Sequence, residues 1–142
     1  MINPKFCVHL FVYGTLRRGY NKGKFRILMK YTKYIGPATY QGKLYNAGAY
    51  PGVVPSLSSS DLVQGEVYKL LMPRLTLQTL DRYEECGADF PEPAEYIRTL
   101  QPIRMKDGRI LSAWLYLYNR PVEKLHRLLS GDFLKRQMLK KT

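Results

Sequence analysis

Residues 1–60 contain no aspartate or glutamate; nine lysines and arginines stand there, and the first acid of the chain is Asp61. Any carboxylate that performs acid–base chemistry must therefore come from the second half. Cysteine and histidine are almost as scarce, with two of each. These four residues do not form a zinc-ligand spacing. A Cys7–Cys86 disulfide is disfavoured in what reads as a reduced, cytoplasmic protein. No apolar run approaches the ~20 residues that span a bilayer. The N-terminus lacks the basic flank, long apolar segment and small-residue cleavage site of a signal peptide. The run from Phe6 to Tyr13 is too short for either and is interrupted by His9. No membrane partner is expected, and neither repeats, low-complexity tracts nor linkers divide the chain. The expectation is one domain over residues 1–142, with its core at about 6–120 and a basic tail at about 131–142.

What is abundant is positive charge, a net +12. Six of the eleven acids crowd into residues 81–95, so the two signs are strongly segregated along the chain. Such a charge is compatible with nucleic-acid binding. No nucleic-acid motif accompanies it, and a lysine-rich solvated surface explains it with fewer assumptions.

Hydrophobic periodicity predicts strands at Phe6–Tyr13, Ala38–Asn46, Asp61–Leu70, Tyr96–Met105 and Leu111–Tyr118. The last two are joined by Lys106-Asp107-Gly108-Arg109, a hairpin turn signal. Helical spacing of Phe25, Leu28, Met29 and Thr32 predicts a helix over Lys24–Tyr34. Pro73 suits the first position of a helix reaching about Glu85, and a short helix is expected over Val122–Ser130. Ser56–Ser60 reads as a polar loop after Tyr50-Pro51-Gly52. Five or six antiparallel strands with two or three helices imply an α+β domain, a curled sheet or small mixed β-barrel flanked by helices.

Two places carry chemistry. The first is the end of the opening strand, where Val12-Tyr13 runs into Gly14-Thr15 and then the basic loop Leu16-Arg17-Arg18-Gly19. A strand that stops at glycine leaves backbone N–H groups unpaired and open to close approach by a ligand. Main-chain donors of this kind hold an anion or an oxyanion. The second is the helix from Pro73. At ~100° per residue from Leu77, Leu80 falls at about 300°, Glu84 at about 340°, Asp81 at about 40° and Glu85 at about 80°. Glu84 thus lies on the apolar face, where a carboxylate must be paired, hydrogen-bonded or protonated. Partial burial would raise its pKa toward neutrality, which suits a group that takes and returns a proton. The plainer alternative is a frayed helix end in which Glu84 meets Arg82 or Arg98.

Taken in order, Val12-Tyr13-Gly14-Thr15-Leu16-Arg17-Arg18-Gly19, Tyr50-Pro51-Gly52, Leu80-Asp81-Arg82-Tyr83-Glu84 and Ala113-Trp114-Leu115-Tyr116-Leu117-Tyr118 resemble the gamma-glutamylcyclotransferase-like (AIG2-like) family. The resemblance covers about residues 8–120. It implies a small mixed barrel flanked by helices and the cyclisation of γ-glutamyl amines or peptides to 5-oxoproline. It further implies that Tyr13, Gly14, Thr15 and Leu16 line the substrate pocket and that Glu84 is the proton acceptor. Two departures stand out. Glu85 follows the glutamate where many relatives have glycine, and Ala88–Glu95 lengthens the adjacent loop.

The implied partner is a small γ-glutamyl molecule, and the reaction calls for no cofactor or metal. Tyr50, Tyr116 and Tyr118 are candidates to pack against the glutamyl methylenes. Tyr116 and Tyr118 share one strand face; Leu115 and Leu117 occupy the other, and Trp114 is assigned with them as core. The alternatives are a non-catalytic γ-glutamyl or amino-acid binding module of the same fold, and a basic nucleic-acid-binding domain. Ligand-induced stabilisation without 5-oxoproline would mark the first. Steeply salt-dependent binding to DNA or RNA would mark the second. Oligomeric state is not legible here.

Overall fold

The computed structural model describes residues 6–14, 30–48, 50–83 and 95–135. Its elements are β1 (His9–Val12), β2 (Thr32–Asn46), β3 (Pro51–Pro55), β4 (Leu62–Leu70), α1 (Pro73–Tyr83), β5 (Tyr96–Met105), β6 (Ile110–Tyr118) and β7 (His126–Arg127). Strand alternation sends neighbouring residues to opposite faces. Phe11 and Tyr13 therefore enter one core with Ala113, Leu115 and Leu117, while Leu10 and Val12 enter another with Tyr116. Trp114 packs against this second core with Tyr118, not on the leucine face expected from the sequence. The reason is arithmetic: positions 114, 116 and 118 have the same parity.

The first core fills a closed barrel. Its strands run in the order β2-β4-β1-β6-β5, and β5 returns to pair with β2. The β1–β6 pairing is parallel, with Leu10 opposite Trp114, and the other barrel pairings are antiparallel. This is the small mixed barrel expected. Pairing on both sides leaves the barrel strands without a free edge. The second core lies outside the barrel wall, where α1 covers β1, β4, β5 and β6 with Leu77 and Leu80. Full burial of a leucine side chain stabilises by roughly 1.5–3 kcal/mol. No helix among the described residues is long and apolar enough to cross a membrane.

Several boundaries differ from expectation. Residues 24–29 of the helix expected over Lys24–Tyr34 lie outside the described residues. Its last residues, Thr32, Lys33 and Tyr34, instead begin β2 opposite Leu70, Lys69 and Tyr68. A β-branched residue and an aromatic suit that pairing, and the Tyr34 ring meets Tyr68 edge-on at 5.5 Å. The helix expected over Val122–Ser130 does not form. A single turn closes from Leu125 N–H to the Val122 carbonyl, after which His126 and Arg127 pair with Asn46 and Tyr45. A nine-residue helix is marginal by itself, whereas the flank of β2 offers backbone partners at once. On the other flank, β3 forms an edge strand that the sequence reading missed. Prolines at both its ends disguise it, and prolines are tolerated where a strand has an open side. The turn at Lys106–Arg109 forms as expected, with Met105 N–H donating to the Arg109 carbonyl at 2.8 Å and Gly108 at φ 94°. Phe133, in the segment read as basic tail, is fully buried in the barrel core.

Two stability predictions follow from particular groups. Thr76 is fully buried on α1 and its hydroxyl has no hydrogen-bond partner among the described residues. Thr76→Val keeps the shape and removes the unsatisfied group, so it should stabilise by about 1 kcal/mol, read as a higher urea midpoint at unchanged slope. Asp61 accepts hydrogen bonds from the Ser56 hydroxyl at 2.6 Å and from Arg127 at 2.8 Å, and these hold its carboxyl below the usual range. A depressed folded pKa contributes stability above the unfolded value of about 3.9 and loses it as pH falls through the folded value. Melting temperatures taken down the acid limb should therefore fall less steeply for Asp61→Asn than for the wild type.

Candidate active site

Because Leu10 and Trp114 are in parallel register, Gly14 and Tyr118 emerge at the same end of the barrel, each four positions further along its strand. Tyr13 is buried in the barrel, and its hydroxyl donates to the Tyr116 carbonyl at 2.6 Å. This side chain ties the end of β1 to β6. Gly14 lies so close to the start of β3 that a Cβ there would stand 2.8 Å from Pro51 Cγ. A Cβ on Gly52 would stand 2.8 Å from the Tyr118 ring. Glycine is thus required at both places for close approach, not for an unusual backbone angle. Tyr96 completes the wall: its hydroxyl donates to the Pro51 carbonyl at 2.7 Å, and its ring meets Tyr118 edge-on at 5.6 Å. Rings in this arrangement attract beyond the area they bury.

The candidate residues from the sequence separate accordingly. Tyr13, Gly14 and Tyr118 come together with Pro51 and Gly52. Tyr50, next in line, is 44% exposed. Thr15, Leu16 and Glu84 lie outside the described residues, as does the loop Ala88–Glu95 apart from Glu95. The described part of α1 reaches Tyr83.

The residue that the sequence reading passed over is Asp81. Arg98 donates to it in bidentate fashion, Nε to Oδ1 at 2.7 Å and an Nη2 hydrogen to Oδ2 at 3.0 Å. The Tyr116 hydroxyl donates to the same Oδ1 at 2.6 Å. Charge-assisted, two-pronged contacts of this kind are strong and orienting. The guanidinium also lies 4.5 Å from the Trp114 ring centroid, and Trp114 Nε1–H donates to the Cys7 carbonyl at 3.3 Å. Arg98, weighed from the sequence as a partner for Glu84, engages Asp81; Glu84 lies outside the described residues. The available signal was the intermediate helical angle of Asp81, on the edge between the apolar and solvent faces.

Cys7 offers no nucleophile. It is a free, buried thiol, and burial pushes its pKa up, away from the reactive thiolate. A cavity of about 420 Å³ lies elsewhere, toward the C-terminal end of β5, lined by Pro37, Thr39, Gln64, Arg104 and Lys106 among others. None of the described candidate site residues, Tyr13, Gly14, Tyr50 and Tyr118, lines it. The Gly52–Tyr118 contact yields a direct test. Gly52→Ala should destabilise by about 1–3 kcal/mol in equilibrium unfolding, because the ring must leave its packed position.

The model of the family described as gamma-glutamyl cyclotransferase, AIG2-like, matches residues 10–135. The gamma-glutamylcyclotransferase family protein YtfP of Escherichia coli (strain K12) is 36% identical over 129 residues, covering 91% of this chain and 98% of the relative. The solution structure of ytfP from Escherichia coli matches with a TM-score of 0.63 at 34% identity, over 91% of this chain and 98% of that one. A gamma-L-glutamyl-butirosin B gamma-glutamyl cyclotransferase of Niallia circulans is 34% identical over 116 residues, 81% of this chain and 69% of the relative. Match length, identity and barrel topology agree, and the chain belongs to the AIG2-like gamma-glutamylcyclotransferase family.

Proposed function

We propose that the chain is an active gamma-glutamylcyclotransferase that converts a small γ-glutamyl amine or peptide to 5-oxoproline and the free amine. The observation that carries this reading is the convergence of Gly14, Pro51-Gly52 and Tyr118 at one end of the barrel. Family membership supports the same chemistry.

In the proposed reaction the substrate's α-amine attacks its own γ-carbonyl. A C–N bond closes the five-membered lactam, and the original γ-amide C–N bond breaks. The nucleophile is tethered, so the protein has only to fold the glutamyl chain into a near-attack geometry, where effective molarities are large. The amine is an ammonium at neutral pH. Glu84 takes its proton and then delivers one to the departing nitrogen, acting as base and then acid. Main-chain N–H groups over Gly14, Thr15 and Leu16 serve the oxyanion or the substrate carboxylate. Tyr118, braced by Tyr96, offers a ring to the glutamyl methylenes, and the half-exposed Tyr50 joins it in this reading. Tyr13 contributes through its backbone, since its hydroxyl is engaged by the Tyr116 carbonyl. The buried free thiol of Cys7 suits a reduced cytoplasm.

Release of 5-oxoproline from a panel of γ-glutamyl peptides and amines tests the proposal. Glu84→Gln should lower kcat by about 10²-fold or more with the unfolding transition retained. Glu85→Gln should change it far less. Normal turnover by Glu84→Gln would remove the base assignment, and ligand-induced stabilisation without 5-oxoproline would make the protein a binding module.

A further inference from the structure

The interface between α1 and the barrel wall is apolar where it is tightest: Leu77 and Leu80 against Leu10, Val12 and Leu70. Apolar contact is non-directional, so such a surface resists separation but poorly resists a small slide or rotation. Among the described residues a directional contact crosses it at Asp81. Its carboxylate is gripped by Arg98 from β5 and by the Tyr116 hydroxyl from β6. A fully hydrogen-bonded polar group in such a place selects one docking among many of similar apolar area.

Tyr116 has a second connection. Its carbonyl receives the Tyr13 hydroxyl at 2.6 Å, and its own hydroxyl reaches Asp81 at 2.6 Å. One residue, itself buried, therefore holds the end of β1 just before Gly14 and the end of α1 three positions before Glu84. The contacts close a circuit: Arg98 stacks on Trp114, and Trp114 donates to the Cys7 carbonyl just ahead of β1. Apart from Tyr13, which contributes through its backbone, no member of this circuit has been given a part in the chemistry above.

We propose that Tyr116 and Asp81 are positioning residues that set the end of α1 in fixed register with the Gly14 turn, so that the base and the main-chain donors face one substrate. The inference rests on the reading of Glu84 as base. Neither side chain touches substrate. The Tyr116 hydroxyl acts through Asp81, and Asp81 acts through the backbone of the last helical turn. Misplacement of a reacting group by an ångström costs on the order of 10²-fold in rate, so loss of this register should appear in kcat and leave ground-state binding nearly intact.

The test compares Tyr116→Phe, Asp81→Asn and the double variant in the 5-oxoproline assay. Tyr116→Phe removes only the hydroxyl and leaves the carbonyl bond to Tyr13. Each single variant should lower kcat between about tenfold and about a hundredfold, with KM changed by about twofold at most. Because one acts through the other, the double variant should be hardly slower than Asp81→Asn. Trp114 is the only tryptophan of the chain. Its fluorescence should shift in Asp81→Asn, which removes the carboxylate charge opposite the Arg98 guanidinium, and stay near wild type in Tyr116→Phe, which also reports that this variant is folded. Wild-type kcat in Tyr116→Phe, a rise in KM alone, or fully multiplicative losses in the double variant would each overturn the proposal. Glu84→Gln is assayed alongside. An inactive Glu84→Gln with an unimpaired Tyr116→Phe refutes the positioning role alone, whereas a fully active Glu84→Gln refutes the base assignment on which it rests.

Discussion

Burial of both faces of the β1–β6 pair is the constraint on which this structure depends. A strand with apolar residues at odd and even positions alike must be covered twice. Here the odd face of β1 is covered by curling the sheet into a barrel around Phe11 and Tyr13, and the even face by laying α1 over Leu10 and Val12. The parallel sense of the pair then puts two strand ends side by side, and the glycine-rich segments gather there. The position of the candidate site is thus a consequence of how the core is closed.

Polar groups are used sparingly and in places where apolar packing leaves a degree of freedom. Asp81 sits on the edge of an apolar helix face, and Asp61 ties the loop at Ser56 to Arg127 of β7. Both carboxylates are partly shielded and both meet an arginine. Such pairs contribute modestly to net stability and more to fixing one arrangement. Tyrosines extend the same economy. Tyr13, Tyr96 and Tyr116 each bury a ring in a core and spend the hydroxyl on a distant segment. Three of the twelve tyrosines thereby connect β1, β3, β6 and α1 at the site end.

Much of this was legible beforehand because local rules act over a few residues. Alternation located the barrel strands to within a residue at most ends, Pro73 marked the start of α1, and the Lys106–Arg109 turn announced its hairpin. The errors fall where a segment's fate depends on what lies beside it. Thr32–Tyr34 satisfies a helical period, yet the open length of β4 claims it. Val122–Ser130 is too short to insist on a helix, and β2 offers it partners. Trp114 was misassigned to the leucine face through parity, not through any tertiary effect.

For the site the division is similar. Sequence alone determined the candidate identities: a glycine-terminated strand end, an acid at helical spacing from two leucines, and the ordered motifs of a family. Those are properties of residue type and short-range spacing, and folding does not alter them. Tertiary structure decided which of these residues meet. It turned the Tyr13 hydroxyl inward to Tyr116, pressed Gly52 onto Tyr118, and joined Arg98 to Asp81 across 17 positions of chain. No short-range rule contains that information, because contact between distant segments depends on the closure of the barrel as a whole.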